Sequence, residues 1–105
     1  MPAVEYIAVI FSSVRTTEDG VGYSSMASAM EEMATKQPGY CGIESVFDPS
    51  TRHGITISYW TSEADAVAWK QVGEHLGAQR LGREQWYESY RTRVATVTRE
   101  YDWER

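Results

Sequence analysis

Ser58–Arg93 reads SYWTSEADAVAWKQVGEHLGAQRLGREQWYESYRTR. A strand closing on Tyr59-Trp60 gives way, at Thr61 or Ser62, to a helix with Asp65 three residues after Ser62, a weak capping box. That helix carries Trp69 and runs to about Gln71. Gly73 is expected to interrupt it, and Glu74–Arg83 reads as a second helical piece bearing His75, Gln79, Arg80 and Arg83. The chain then returns as a long strand, Trp86–Tyr101, with Tyr87 and Tyr90 near its start. Three of the four tryptophans and one of the two histidines fall in this stretch. Large rings beside a few polar groups suit a pocket for a flat ligand, and they suit a small core equally well.

Working outward, Val4–Val14 is rich in Val, Ile, Tyr and Phe and predicts a strand. Its two alternate sets, Val4/Tyr6/Ala8/Ile10/Ser12 and Ile7/Val9/Phe11/Ser13, are both largely apolar, so both faces seek burial. Arg15–Gly22 reads as a polar loop, and Tyr23–Lys36 as a helix with Met26, Ala29, Met30 and Met33 on its inner stripe. Pro38-Gly39 ends it. Cys41–Phe47 and His53–Trp60 read as strands, with Ile55, Ile57 and Tyr59 on one side of the latter; the short Asp48–Thr51 turn makes them an antiparallel hairpin. His53, just after the turn, is expected to be exposed.

The order β-α-β-β-α-β predicts an α+β, ferredoxin-like fold: a four-stranded antiparallel sheet with both helices on one face. The other face of the apolar first strand then needs a cover that a 105-residue chain does not have left. A second copy is the simplest cover, so a two-fold homodimer closing into an α/β barrel is expected.

Bulk properties narrow the function. The length suits a single domain over 1–105. A net charge of −5 leaves no basic excess to neutralise phosphates, which argues against nucleic acid as a partner. No apolar run approaches a membrane span and no leader pattern opens the chain, so a cytoplasmic protein without a membrane partner is expected. One cysteine, Cys41, excludes an intrachain disulfide and a thiolate cluster, and its apolar surroundings predict a buried, inert thiol. There is no phosphate-binding glycine loop, no nucleophile elbow, and no zinc-ligand spacing in the two histidines, His53 and His75.

The strings SYW at Ser58–Trp60, AWK at Ala68–Lys70, EHLGAQRLGREQWYESY at Glu74–Tyr90 and QPGYCGIES at Gln37–Ser45 are similar to those of the antibiotic-biosynthesis-monooxygenase family of dimeric α/β barrels. The resemblance spans about Tyr6 to Tyr101. It implies a homodimer with a pocket in each subunit between sheet and helices. It also implies one of three activities: cofactor-free oxygenation of polyketide-derived aromatics, haem binding and degradation, or none yet assigned. The haem branch is marked by an asparagine in the first strand, a tryptophan on the second helix and a histidine ten residues later. Trp69 matches, but Gln79 stands at the histidine position. The chain contains no asparagine, and Phe11-Ser12-Ser13 occupies the matching part of strand one. His75, one turn before Gln79, would displace an iron by about 5–6 Å.

The reading that follows is a monooxygenase using no cofactor on an aromatic or polyketide-like small molecule. His75 is the candidate base and Arg83 the candidate catalytic cation, with Gln79 beside them to hold an oxyanion. Tyr59, Tyr87 and Tyr90 would donate hydrogen bonds, and Trp60, Trp69 and Trp86 would stack on the substrate. The rival readings are a protein that binds haem or another hydrophobic ligand without processing it, and a non-enzymatic structural or stress-related dimer.

Overall fold

The computed structural model describes residues 5–75 and 77–105, with the side chains of residues 75, 78 and 79 outside that description. Strand β1 (Tyr6–Arg15) is followed by α1 (Gly20–Ala34), β2 (Tyr40–Asp48), β3 (His53–Trp60), α2 (Glu63–His75), the short α3 (Ala78–Leu81), a π-helical turn (Gly82–Trp86) and β4 (Tyr87–Val97). The sheet order is β2-β3-β1-β4 and every neighbouring pair is antiparallel. This is the ferredoxin-like arrangement expected from the order of elements. The most apolar strand, β1, takes a central place.

Register separates the two faces. Ile7 pairs with Trp60, Val9 with Ser58 and Phe11 with Thr56, and this set points toward the helices. Ile7 and Trp60 pack with Ala34 of α1 and Ala66 of α2, and Val9, Tyr40 and Trp69 close around them. The other face carries Ala8 beside Tyr59 and Ile10 beside Ile57, with both isoleucines partly exposed.

Several local expectations change. α1 begins at Gly20 rather than Tyr23, because Asp19 takes a left-handed conformation (φ 47°) and its carboxylate accepts from the Gly22 amide. The helix also rotates relative to the expected stripe: Met26, Met30 and Met33 are half-buried and Ala34 is fully buried, but Ala29 is exposed.

Gly73 does not interrupt α2. It lies inside the helix and faces α1, where an added Cβ would stand 3.2 Å from Met30 Cε. The break falls at Gly77, whose φ of +74° other residues avoid. The expected Glu74–Arg83 helix is therefore divided among α2, α3 and the π-helical turn, and Trp86 belongs to that turn rather than to β4. Half of the capping box forms: Ser62 Oγ accepts from the Asp65 amide, but the Asp65 carboxylate accepts from the Thr61 and Ser62 hydroxyls rather than from a backbone N–H. Cys41 is exposed rather than buried. It sits on the outermost strand at the register shift between Tyr40 and Gly42, and its thiol donates to the Gly39 carbonyl.

Among the described residues, no helix is long and apolar enough to cross a membrane.

Candidate functional site

A cavity of about 540 Å³ lies between the helix-facing side of the sheet and the two long helices. That volume falls within the range of small-molecule sites. β1 contributes alternate residues Val9, Phe11, Ser13 and Arg15, α1 contributes Tyr23, Met26 and Met30, and α2 contributes Trp69. Exposed Glu31, Glu63 and Lys70 also reach it and mark its outer edge.

The far wall depends on a bulge. β1 and β4 stay in register from Tyr6↔Val97 to Val14↔Ser89, and then the next pair is Arg15↔Tyr87. Strict alternation would place Tyr87 and Tyr90, three residues apart, on opposite faces. The extra residue in β4 brings both to the cavity side. Both rings meet Phe11, Tyr87 at 5.3 Å edge-on and Tyr90 at 5.4 Å tilted. Trp86 is fixed from three directions: its indole N–H donates to Asp19, its ring meets Tyr23 edge-on at 5.7 Å, and its carbonyl accepts from the Thr16 amide.

Burial pushes the Tyr87 phenol well above the usual tyrosine range; Tyr23 and Tyr90 add to the rise and Arg15 opposes it. Tyr87 therefore faces the cavity as a neutral hydroxyl, able to donate.

The residues singled out from the sequence divide accordingly. Trp69, Trp86, Tyr87 and Tyr90 line the cavity. Trp60 is completely buried beneath it, stacked on Trp69 at 5.7 Å, with its indole N–H given to Ser58. Tyr59 lies on the opposite face of the sheet, where it donates to Glu44 and meets Tyr6 edge-on. Strand alternation forces that separation from Trp60. Arg83 is exposed and donates to the Tyr90 hydroxyl at 3.4 Å, so its contact with the site passes through Tyr90. The side chains of His75 and Gln79 lie outside the described residues. His53 is exposed, as expected, and bonds Ser12 on the open face.

The sequence reading missed Arg15, Phe11 and Tyr23. Arg15 falls in the loop expected from the sequence, yet it closes β1, shares the parity of Phe11 and Ser13 and extends their inward row by one step. A cation on the inward set of an apolar strand was the available signal.

Among the described residues lining the cavity there is no histidine or cysteine. Among the described residues as a whole, no group of three or more His, Cys, Asp or Glu side chains could hold a metal ion.

Comparison with known proteins adds lineage. No protein-family model matches the chain. The uncharacterized protein YqjZ of Bacillus subtilis (strain 168) is 46% identical over 99 residues, covering 94% of this chain and 85% of the relative. The chain belongs to the YqjZ family.

Solved structures share the fold at much lower identity. SnoaB, a cofactor-independent oxygenase from Streptomyces nogalater, superposes with a TM-score of 0.65 at 13% identity, over 93% of this chain and 95% of that one. A Nitrosomonas europaea protein assigned as an antibiotic biosynthesis monooxygenase gives 0.69 at 14%, over 90% and 91%. Rv0793 of Mycobacterium tuberculosis gives 0.71 at 10%, over 92% and 97%. This YqjZ relative therefore has the fold of the antibiotic biosynthesis monooxygenases, as the sequence resemblance implied.

Proposed function

We propose that the chain is a monooxygenase that acts without metal or flavin on an aromatic or polyketide-like small molecule. The observation that carries this is the ring-walled cavity of about 540 Å³ between sheet and helices. The shared fold with a cofactor-independent oxygenase supports it.

Oxygenation of this kind uses the substrate as its own electron source. A methylene flanked by aromatic rings is deprotonated, one atom of dioxygen becomes its carbonyl oxygen, and the other leaves as water. The balance needs no outside reductant. The protein's part is to stack the rings, exclude water, receive the proton and stabilise the anion. Trp69 and Trp86 suit stacking, and the hydroxyls of Tyr87 and Tyr90 suit donation. His75 is the proposed base, and Arg83 positions Tyr90.

Oxygen uptake with an anthrone-type substrate under air tests this reading. Wild type is expected to turn over, Trp69→Ala to lose at least about tenfold in kcat/KM, equivalent to ~1.4 kcal/mol of transition-state binding, and His75→Ala to lose more in kcat than in KM. Wild-type uptake no faster than buffer would remove the proposal.

The working form is proposed to be a homodimer in the cytoplasm. The partly exposed Ile10 and Ile57, side by side on the helix-free face, support a second copy as the cover. Light scattering at micromolar concentration is expected to give about twice the chain mass of 11.9 kDa. A mass of one chain would refute the dimer.

A further inference from the structure

One end of the cavity is positively charged, although the chain carries a net charge of −5. Arg15 closes β1 and lines the cavity, and its guanidinium carbon lies 3.5 Å from the Tyr23 ring centroid and 4.8 Å from that of Phe47. The two rings fix the orientation of the guanidinium. Arg15 Nε is buried without a hydrogen-bond partner.

Arg52 lies against the same Phe47 ring at 5.2 Å, gives one N–H to the Thr16 carbonyl, and also has a buried, unpartnered Nε. Among the described residues the ion pairs are Lys36–Glu32 and Lys70–Glu74, so no carboxylate neutralises either arginine. Arg52 does not line the cavity, but it adds a second fixed positive charge behind Arg15.

A buried N–H donor without a partner is costly. A stacked, preoriented guanidinium is also the group best shaped for a planar oxyanion. The neutral Tyr87 hydroxyl stands on the same wall, paired with Arg15 across the bulge.

We infer that the cavity takes its aromatic ligand as an anion, with a negatively charged oxygen of the ligand on Arg15. The inference rests on the cavity being a ligand site, as proposed above, and it names the class of ligand: planar aromatics carrying a carboxylate, phenolate or enolate oxygen. An Arg15 that only braced Tyr23 against Phe47 would give the ligand's charge no effect on affinity.

Fluorescence titration with a matched pair, anthracene-2-carboxylate and anthracene-2-carboxamide, separates the two. Wild type is expected to bind the carboxylate at least about tenfold more tightly than the carboxamide. Arg15→Met is expected to bring that ratio close to one, chiefly through loss of carboxylate affinity, and Arg15→Lys to keep part of the preference. Circular dichroism checks each fold, and Arg15→Gln replaces Arg15→Met should the latter not fold.

Equal wild-type affinity for the two ligands would overturn the anion site and leave the cavity standing. A carboxylate preference that survives in Arg15→Met or Arg15→Gln would place the anion elsewhere and overturn it as well. Wild-type binding of neither ligand would overturn the cavity reading itself, and this inference with it.

Discussion

Trp60→Ala is expected to lower folding stability by about 3–5 kcal/mol, the usual cost of truncating a buried tryptophan to alanine. Trp60 is fully buried at the centre of the core, stacked on Trp69 with 28° between the ring planes and met edge-on by Tyr40 at 5.9 Å. Removing it opens a void where β3 meets both helices. It also takes away the indole N–H that Ser58 Oγ accepts at 2.9 Å, and Ser58 is itself buried.

Small domains hold only about 5–15 kcal/mol of stability, so the variant should lose a large share of it. Trp60→Phe keeps a ring against Trp69 but still leaves Ser58 without its donor, and should cost roughly 1–3 kcal/mol. Urea unfolding at one protein concentration measures both, so that any assembly contributes equally. A cost below about 1 kcal/mol for Trp60→Ala would mean that the ring is not the keystone of the core.

Gly39→Ala should cost about 2–3 kcal/mol, from two sources that can be separated. Gly39 has φ +80°, a left-handed conformation that costs other residues about 1–2 kcal/mol. An added Cβ would also overlap the Asp65 carboxylate and come within 2.8 Å of Asp65 Cβ. Asp65 cannot yield freely, because Thr61 and Ser62 both donate to it at the start of α2. Displacing it loses a helix cap worth about 1 kcal/mol.

The double substitution Gly39→Ala/Asp65→Ala should therefore cost about 1 kcal/mol less than the sum of the singles, since the overlap with the carboxylate disappears and only the 2.8 Å approach to the Cβ of residue 65 remains. Strict additivity in urea midpoints would show that the carboxylate overlap contributes nothing to the cost at Gly39. The same residue anchors the chain crossing above β3, where the Thr61 amide donates to the Gly39 carbonyl. A loss there would loosen the junction that holds α2, and with it Trp69, over the cavity.

Much of this architecture was legible in the residues. β3 was read with its observed bounds, His53–Trp60, because turn residues flank an apolar run. The order of elements and the helix-free apolar face followed from alternation along β1, and the Ser62/Asp65 cap from side-chain chemistry. These features depend on neighbours within a few positions, where backbone geometry restricts the choices.

The cavity wall was legible only in part. Trp69, Trp86, Tyr87 and Tyr90 were named from ring density, but Tyr59 was grouped with them although strand alternation sends it to the opposite face. Gly73 reads as a helix breaker, but it lies inside α2 facing Met30 of α1, an approach between residues 43 positions apart that no local pattern encodes. Tyr87 and Tyr90 share a face only because one bulge adds a residue against the end of β1.

Arg15 makes the same point most sharply. The residue type and its parity are local facts, but its meaning comes from Tyr23 on α1 and Phe47 on β2, which reach it only in the folded chain. The sequence by itself determined the fold class, the strand faces and the ring-rich character of the site, because these follow from short-range periodicity. Which rings and which charge meet in the cavity was decided by tertiary structure, because that depends on register and on contacts between segments far apart in the chain.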